Sequence, residues 1–334
     1  DFSNLFLNKT TFNSDISSWD VGAGTDFYNM FANATSFNQD IGSWDVGSGT
    51  NFVGMFNNAD AFNQDISNWD VSSGTDFGYM FTNNDGFSQD ISSWDVSSGN
   101  NFAGMFRNNT SFNQDISNWD VSNGNTFHKM FNNADKFNQD IGNWDVSSGN
   151  NFAGMFWDAV SFNQNIGSWD VGAGTDFYNM FANATSFNQD IGSWDVGSGT
   201  NFVGMFNNAD AFNQDISNWD VSSGTDFGYM FTNNDGFSQD ISSWDVSNAN
   251  NFYGFAFNAR MYGETGLGTP GKNNYFNKAP IINSSTTASA IDENTASSTV
   301  IYTATGTDNE SSITWSLKEE LDYDKFSIDG SGNV

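Results

Sequence analysis

The chain has 334 residues, 40 of them acidic and nine basic, for a formal net charge of −31, with one histidine (His128) and no cysteine. A field of that sign excludes nucleic acid as a partner and attraction to an anionic membrane surface. Without cysteine there are no disulfides or thiolate metal sites, and no apolar run approaches bilayer-spanning length, so direct membrane insertion is not expected.

From the first residue to about residue 250 a 25-residue unit repeats in strict register, with Trp at 19, 44, 69, 94, 119, 144, 169, 194, 219 and 244. A fixed period in this range predicts a solenoid in which each unit stacks on the next. Within the unit from Asp15 to Gln39, Ile16, Trp19 and Val21 alternate with Ser18, Asp20 and Gly22, the pattern of a strand with one wet face. Gly24 breaks that strand. Phe27, Met30 and Phe31 then fall at i, i+3 and i+4, which predicts one short helical or 3₁₀ turn. The expected core column set is Phe12, Ile16, Trp19, Val21, Phe27, Met30 and Phe31. One coil has too few apolar side chains to offset its own chain entropy, so stability must come from stacking.

The offsets of Ile16, Trp19 and Val21 are those of a leucine-rich repeat. The unit as a whole, F-N-Q-D-I-S-N-W-D-V-S-S, resembles the BspA-like bacterial surface-protein repeat of about 26 residues. Two departures stand out: Gly24 replaces the family's usual Val, and Phe27 its usual Met. The resemblance implies a leucine-rich-repeat-like solenoid on a bacterial surface, tied to adhesion. A second level of repetition lies above the first, because residues 18–97 recur letter for letter as residues 168–247. Uniform arrays of this kind suit long surface proteins and argue against a tailored active site, so no enzymatic role is expected.

The pattern decays after Phe252. Phe255 stands in the Met column, Ala256 in the Phe column, and Arg260-Met261-Tyr262 has no counterpart upstream. Residues 251–278 therefore read as a terminal cap and linker after a solenoid over 1–250. Residues 279–334 read as short strands opening an all-β sandwich. Ala290-Ile-Asp-Glu-Asn294 and the acidic turn over 305–310 resemble a bacterial cadherin-like domain, partial here because the match stops at Val334. That resemblance implies Ca²⁺ binding through Glu293, Asp308 and Glu310.

Two acidic columns in the solenoid carry the sharpest chemistry. Asp15, Asp40 and Asp65 head one, interrupted later by Asn165; Asp20, Asp45 and Asp70 head the other. Stacked coils would place column neighbours ~4.8 Å apart. At that spacing each like-charge contact costs about 1 kcal/mol even in water. Either Ca²⁺ bridges the rungs, oxygen ligands being what that ion takes, or the carboxylates accept backbone amide bonds at turns. The outward surface of Ser18, Asp20, Asp45, Asp70, Ser72, Asp95, Asp120 and Asp145 is polar, regular and shallow. It suits weak multivalent contact with cell-surface or matrix glycans or with neighbouring protein chains. The Trp column reads as core rather than as a sugar-stacking ladder, since Trp19 shares its face with Val21. An ice-binding array is a further alternative, weakened because the Thr25 column mixes Thr with Asn. His128 beside Lys129 reads as surface variation, and Trp157 as an isolated contact point. The chain opens in mid-repeat at Asp1-Phe2, as a piece of a longer secreted protein would, and apolar end coils allow end-to-end assembly into filaments.

Overall fold

The computed structural model describes residues 1–259 and two short strands, β1 (Ile281–Ile282) and β2 (Gly306–Thr307). The chain divides into two compact units, Asp1–Gly271 and Lys272–Val334. In the second unit β1 pairs antiparallel with β2, Ile281 opposite Thr307 and Ile282 opposite Gly306. Residues 260–278 and the remainder of the expected sandwich, with Glu293, Asp308 and Glu310, lie outside the described residues.

In the first unit each coil is hydrogen-bonded to the next at a constant offset. Phe27, Asn29, Phe31 and Asn33 donate their amides to the carbonyls of Asn51, Val53, Met55 and Asn57 at 2.9, 2.8, 2.9 and 2.8 Å. The same four bonds recur along the array up to Phe227, Tyr229, Phe231 and Asn233, which donate to Asn251, Tyr253, Phe255 and Phe257. A column of isolated parallel bridges accompanies them, from Asp26–Asn51 to Asp226–Asn251. Residues 251–259, expected to depart from the pattern as a cap, keep this coil geometry. There Phe255 sets its ring edge-on to Phe231, at 5.4 Å.

Two local expectations differ from what the backbone does. Among the described residues the first unit has no helix and no strand beyond single bridges. The extended segment expected over 16–21 is a pair of turns, closed by Trp19 N–H to Ile16 O (3.0 Å) and Gly24 N–H to Val21 O (2.7 Å). The cause is Asp15 and Asp20, whose carboxylates capture the amides of Ser17 and Gly22 two residues on and bend the chain at each place. Backbone pairing consequently sits at the Asp26 column, not beside Trp19.

The helical turn expected at Phe27, Met30 and Phe31 is a run of overlapping turns, Met30 N–H to Phe27 O and Ala32 N–H to Asn29 O, both 3.1 Å. Asn29 and Asn33 hold φ of 51° and 59°, which no right-handed helix accepts. Asparagine tolerates that left-handed conformation best among non-glycine residues. Turning at every second residue frees alternate amides to leave the coil, which is how the inter-coil bonds arise.

The apolar columns are buried as their spacing predicts. Ile16, Val21, Phe27, Met30 and Phe31 are at most 3 % exposed. In the first coil Phe12 is half-buried and Trp19 40 % exposed, since no coil lies over them, while Phe37 and Trp44 in the next are at 0 % and 4 %. Rings stack down each column: Phe27 on Phe52 at 5.5 Å and 6°, Phe31 on Phe56 at 5.6 Å and 5°, Trp94 on Trp119 at 6.5 Å and 2°. Phe31 also lies flat on Phe37 of its own coil at 4.0 Å. Each buried indole finds a partner, Trp44 Nε1 donating to Ile16 O of the preceding coil at 3.1 Å, so the polar edge carries no desolvation penalty.

A two-coil alternation is superposed on the 25-residue period. From Asn29 onward one turn position reads Asn29, Gly54, Tyr79, Gly104, Lys129, Gly154, Asn179, Gly204, Tyr229, Gly254, every one at positive φ. The larger residue lies over the glycine of the following coil. A Cβ on Gly54 would stand 2.2 Å from Asn29 Oδ1, and one on Gly104 2.5 Å from the Tyr79 ring. The bridge column alternates in the same phase, with Asn at 51, 101, 151, 201 and 251 and Asp or Thr between. Asn101 Nδ2 donates to Asp76 Oδ1 at 2.9 Å, so a carboxylate meets an amide instead of another carboxylate.

Candidate functional site

The side chains expected to form the outward surface do face outward. Ser18, Asp20, Asp45, Asp70, Asp95, Asp120 and Asp145 are exposed and Ser72 is half-buried, while Ile16, Val21 and Gly24 between them point inward. Asp15, Asp40 and Asp65 are exposed as well.

The carboxylates of both columns are engaged locally. Asp70 Oδ1 accepts from Ser72 Oγ at 2.6 Å and from the Ser72 amide at 3.0 Å; Asp15 Oδ1 accepts from Ser17 Oγ at 2.7 Å and the Ser17 amide at 2.9 Å. Asp40 and Asp45 accept the amides of Gly42 and Gly47, and Asp65 that of Ser67. The serine hydroxyl, with the serine amide behind it, holds Asp15, Asp65, Asp70, Asp95 and Asp145 below the ordinary carboxylate pKa. Asn165, the one amide in the Asp15 column, accepts the Gly167 amide at 3.0 Å in the same way. The turn therefore needs an acceptor, and charge is incidental to it. Among the described residues no group of three acidic or histidine side chains is placed to hold a metal ion. Each column supplies one carboxylate per coil, with Oδ1 turned back to its own turn.

Two amide ladders escaped the sequence reading. Asn58 Nδ2 donates to Asn33 Oδ1 at 2.9 Å and Asn33 Nδ2 to Asn8 Oδ1 at 2.8 Å, all three at positive φ. Asn13 Oδ1 accepts the Asn38 amide and Gln39 Nε2, both at 2.9 Å, a clamp repeated down the array. The clue was present, since Asn is nearly invariant in both columns, yet polar residues at turns ordinarily bond within their own turn.

One region departs from this uniformity. In residues 98–167, between the duplicated blocks, lie Arg107, His128, Lys129, Lys136 and Trp157. Arg107, Asn132 and Trp157 occupy one column of three successive coils. Arg107 Nε donates to Asn132 Oδ1 at 3.3 Å, and Asn132 Nδ2 to Trp157 O at 2.8 Å. The Lys129 stem crosses Gly154, 3.1 Å from where a Cβ would stand, and brings Nζ to 5.8 Å from the Trp157 ring centroid. Tyr178 meets that indole edge-on at 6.4 Å and 86°. His128 is half-buried with Nδ1 unpartnered. Burial, reinforced by the Lys129 and Arg107 charges and opposed by Asp176, keeps its pKa low.

Stacked coils, identical internal bonding and an almost uniform surface define a tandem-repeat protein. The chain belongs to the family described as Mycoplasma protein of unknown function, DUF285, whose model matches residues 1–94, 75–184 and 164–264. It is a repeat protein of the Mycoplasma and BspA-like type. The family matches stop short of the segment that resembles a cadherin-like domain. No curated protein matches the chain. Among solved structures, the crystal structure of a TLR13–ssRNA13 complex aligns at 9 % identity over 70 % of this chain and 45 % of that one, with a TM-score of 0.20, too low to carry an argument.

Proposed function

We propose that this chain is a non-enzymatic structural and adhesive module of a bacterial surface, a leucine-rich-repeat-like solenoid serving as a stiff extracellular spacer with a polar acidic face. The observation that carries this reading is the unbroken register of inter-coil hydrogen bonds, four per junction, from the first coil to Phe257. Force applied along the stack is shared by backbone bonds, stacked rings and amide ladders at every junction. Pulling the chain by its ends should lengthen it in steps that are multiples of one coil, about 85 Å of extended chain. Smooth extension at low force would sink the spacer reading.

Calcium is a second proposal, motivated by the exposed Asp15 and Asp20 columns, each one carboxylate per coil, and by Glu293, Asp308 and Glu310 further along. Thermal unfolding in millimolar Ca²⁺ and in chelator, at matched high ionic strength, separates ion binding from screening. A midpoint raised by several degrees supports calcium stiffening; coincident curves remove it from the repeat array.

A further inference from the structure

The uncovered first coil, with its depression lined by Leu5, Lys9 and Phe12, is only the end of the stack, and the buried Nδ2 of Asn84 is a single unpartnered amide in the repeat interior. The central cluster is different in kind. Arg107 and Lys129 form no ion pair among the described residues, although acidic residues outnumber basic ones by 40 to nine in the chain. Each of these cations has hydrogen-bonding capacity left to receive an anionic oxygen. Lys129 holds φ of 56° in a turn column where Asn29, Tyr79, Asn179 and Tyr229 are also at positive φ. Lys129, its stem over Gly154, is held with Nζ 5.8 Å from the Trp157 ring, while Arg107 is oriented by Asn132, whose own amide bonds the Trp157 carbonyl.

We infer that Arg107, Lys129 and Trp157 form a binding site for an anionic polysaccharide, its carboxylate or sulfate groups on the two cations and a sugar ring against the indole. This rests on the adhesive half of the reading above. The aromatic pair argues for a saccharide over the acidic face of a second copy, because carboxylate columns have no use for Trp157 and Tyr178.

The test uses the full chain in affinity electrophoresis through polygalacturonate, dextran sulfate and neutral dextran, near 0.15 M salt, where the Debye length is about 8 Å. The unaltered chain should be retarded by at least one charged polymer and not by dextran. Retardation by polygalacturonate alone identifies a carboxylate ligand, and by dextran sulfate alone a sulfate. Arg107→Gln with Lys129→Gln should weaken that binding at least tenfold, and Trp157→Ala similarly, whereas Lys9→Gln in the first coil should leave it unchanged. Because Trp157→Ala can disturb its coil, the double glutamine variant with an unchanged unfolding midpoint is the deciding one. Equal retardation by neutral and charged polymers, or a double variant that binds as tightly as the unaltered chain, overturns the inference. So does a concentration-dependent dimer in sedimentation that the double variant abolishes, since the occupant is then a second copy. The stepwise lengthening under force is independent of these outcomes, so failure here leaves the spacer reading standing.

Discussion

The duplicated arms, residues 18–97 and 168–247, and the centre between them are built on the same coil and carry different surfaces. Each arm holds eleven aspartates and no basic residue, whereas residues 98–167 hold six aspartates and three basic residues. The large apolar columns of Phe, Ile, Trp, Val and Met run through both without change: Trp69, Trp119 and Trp219 are each 3 % exposed and bonded to the Ile carbonyl 28 residues back. The comparison teaches that the interior fixes the coil and the outer turn positions are free to acquire a local chemistry.

The strongest way to break that view is in the core. Trp69→Ala in an arm and Trp119→Ala in the centre should each cost about 3–5 kcal/mol in urea unfolding. Unequal losses would mean that the two regions are not held alike. Next come the alternating glycines. Gly104→Ala should cost about 1–2 kcal/mol, because φ is positive and the Tyr79 ring stands in the way. Gly154→Ala in the centre should cost less, since only the flexible Lys129 stem must yield, and it should loosen the contact with Trp157.

Salt and pH sharpen the comparison at lower amplitude. Raising ionic strength should increase amide-exchange protection in the arms more than in the centre, as the arms carry the denser charge. The carboxylates held down by serine, such as Asp65, Asp70, Asp90 and Asp95, have folded pKa values below their unfolded ones. Their contribution is present above the unfolded value and disappears as pH falls below about 4. Asp60 and Asp135, raised by burial and by neighbouring carboxylates, act with the opposite sign, contributing at low pH and losing that contribution as pH rises. Acid titration of the unfolding midpoint should therefore show a net decline below pH 4, and a flat profile would refute the hydroxyl bonding. Smallest of all, Ser72→Ala should cost at most about 0.5 kcal/mol and move the Asp70 titration upward in NMR.

Much of this architecture was legible in advance. The register of Trp, Ile, Val, Phe and Met gave the coil length and the buried set, because burial depends only on which positions recur apolar. The local backbone was misread at two places for one reason. Apolar spacing alone cannot distinguish a strand or a helical turn from consecutive tight turns, and Asp15, Asp20, Asn29 and Asn33 decide that through bonds to nearby amides and through positive φ. Of the site, the outward acidic face was visible from alternation. The cluster at Arg107 was not, because its residues are 50 positions apart in the chain and meet only when three coils are stacked.

The knob-over-glycine alternation has a bearing on how such an array lengthens. The block that recurs is displaced by 150 residues, a whole number of coil pairs, so each glycine of the copy again falls beneath a larger neighbour. An insertion of one coil would put two bulky turn residues in register, or two glycines, at the seam. Only where both are as small as Asn4 and Asn29, the pair at the start of the array, does the structure accommodate like on like. Recombination acting on this sequence is thus read in frames of fifty, and an unequal exchange that slips by twenty-five is penalised by the folded protein itself.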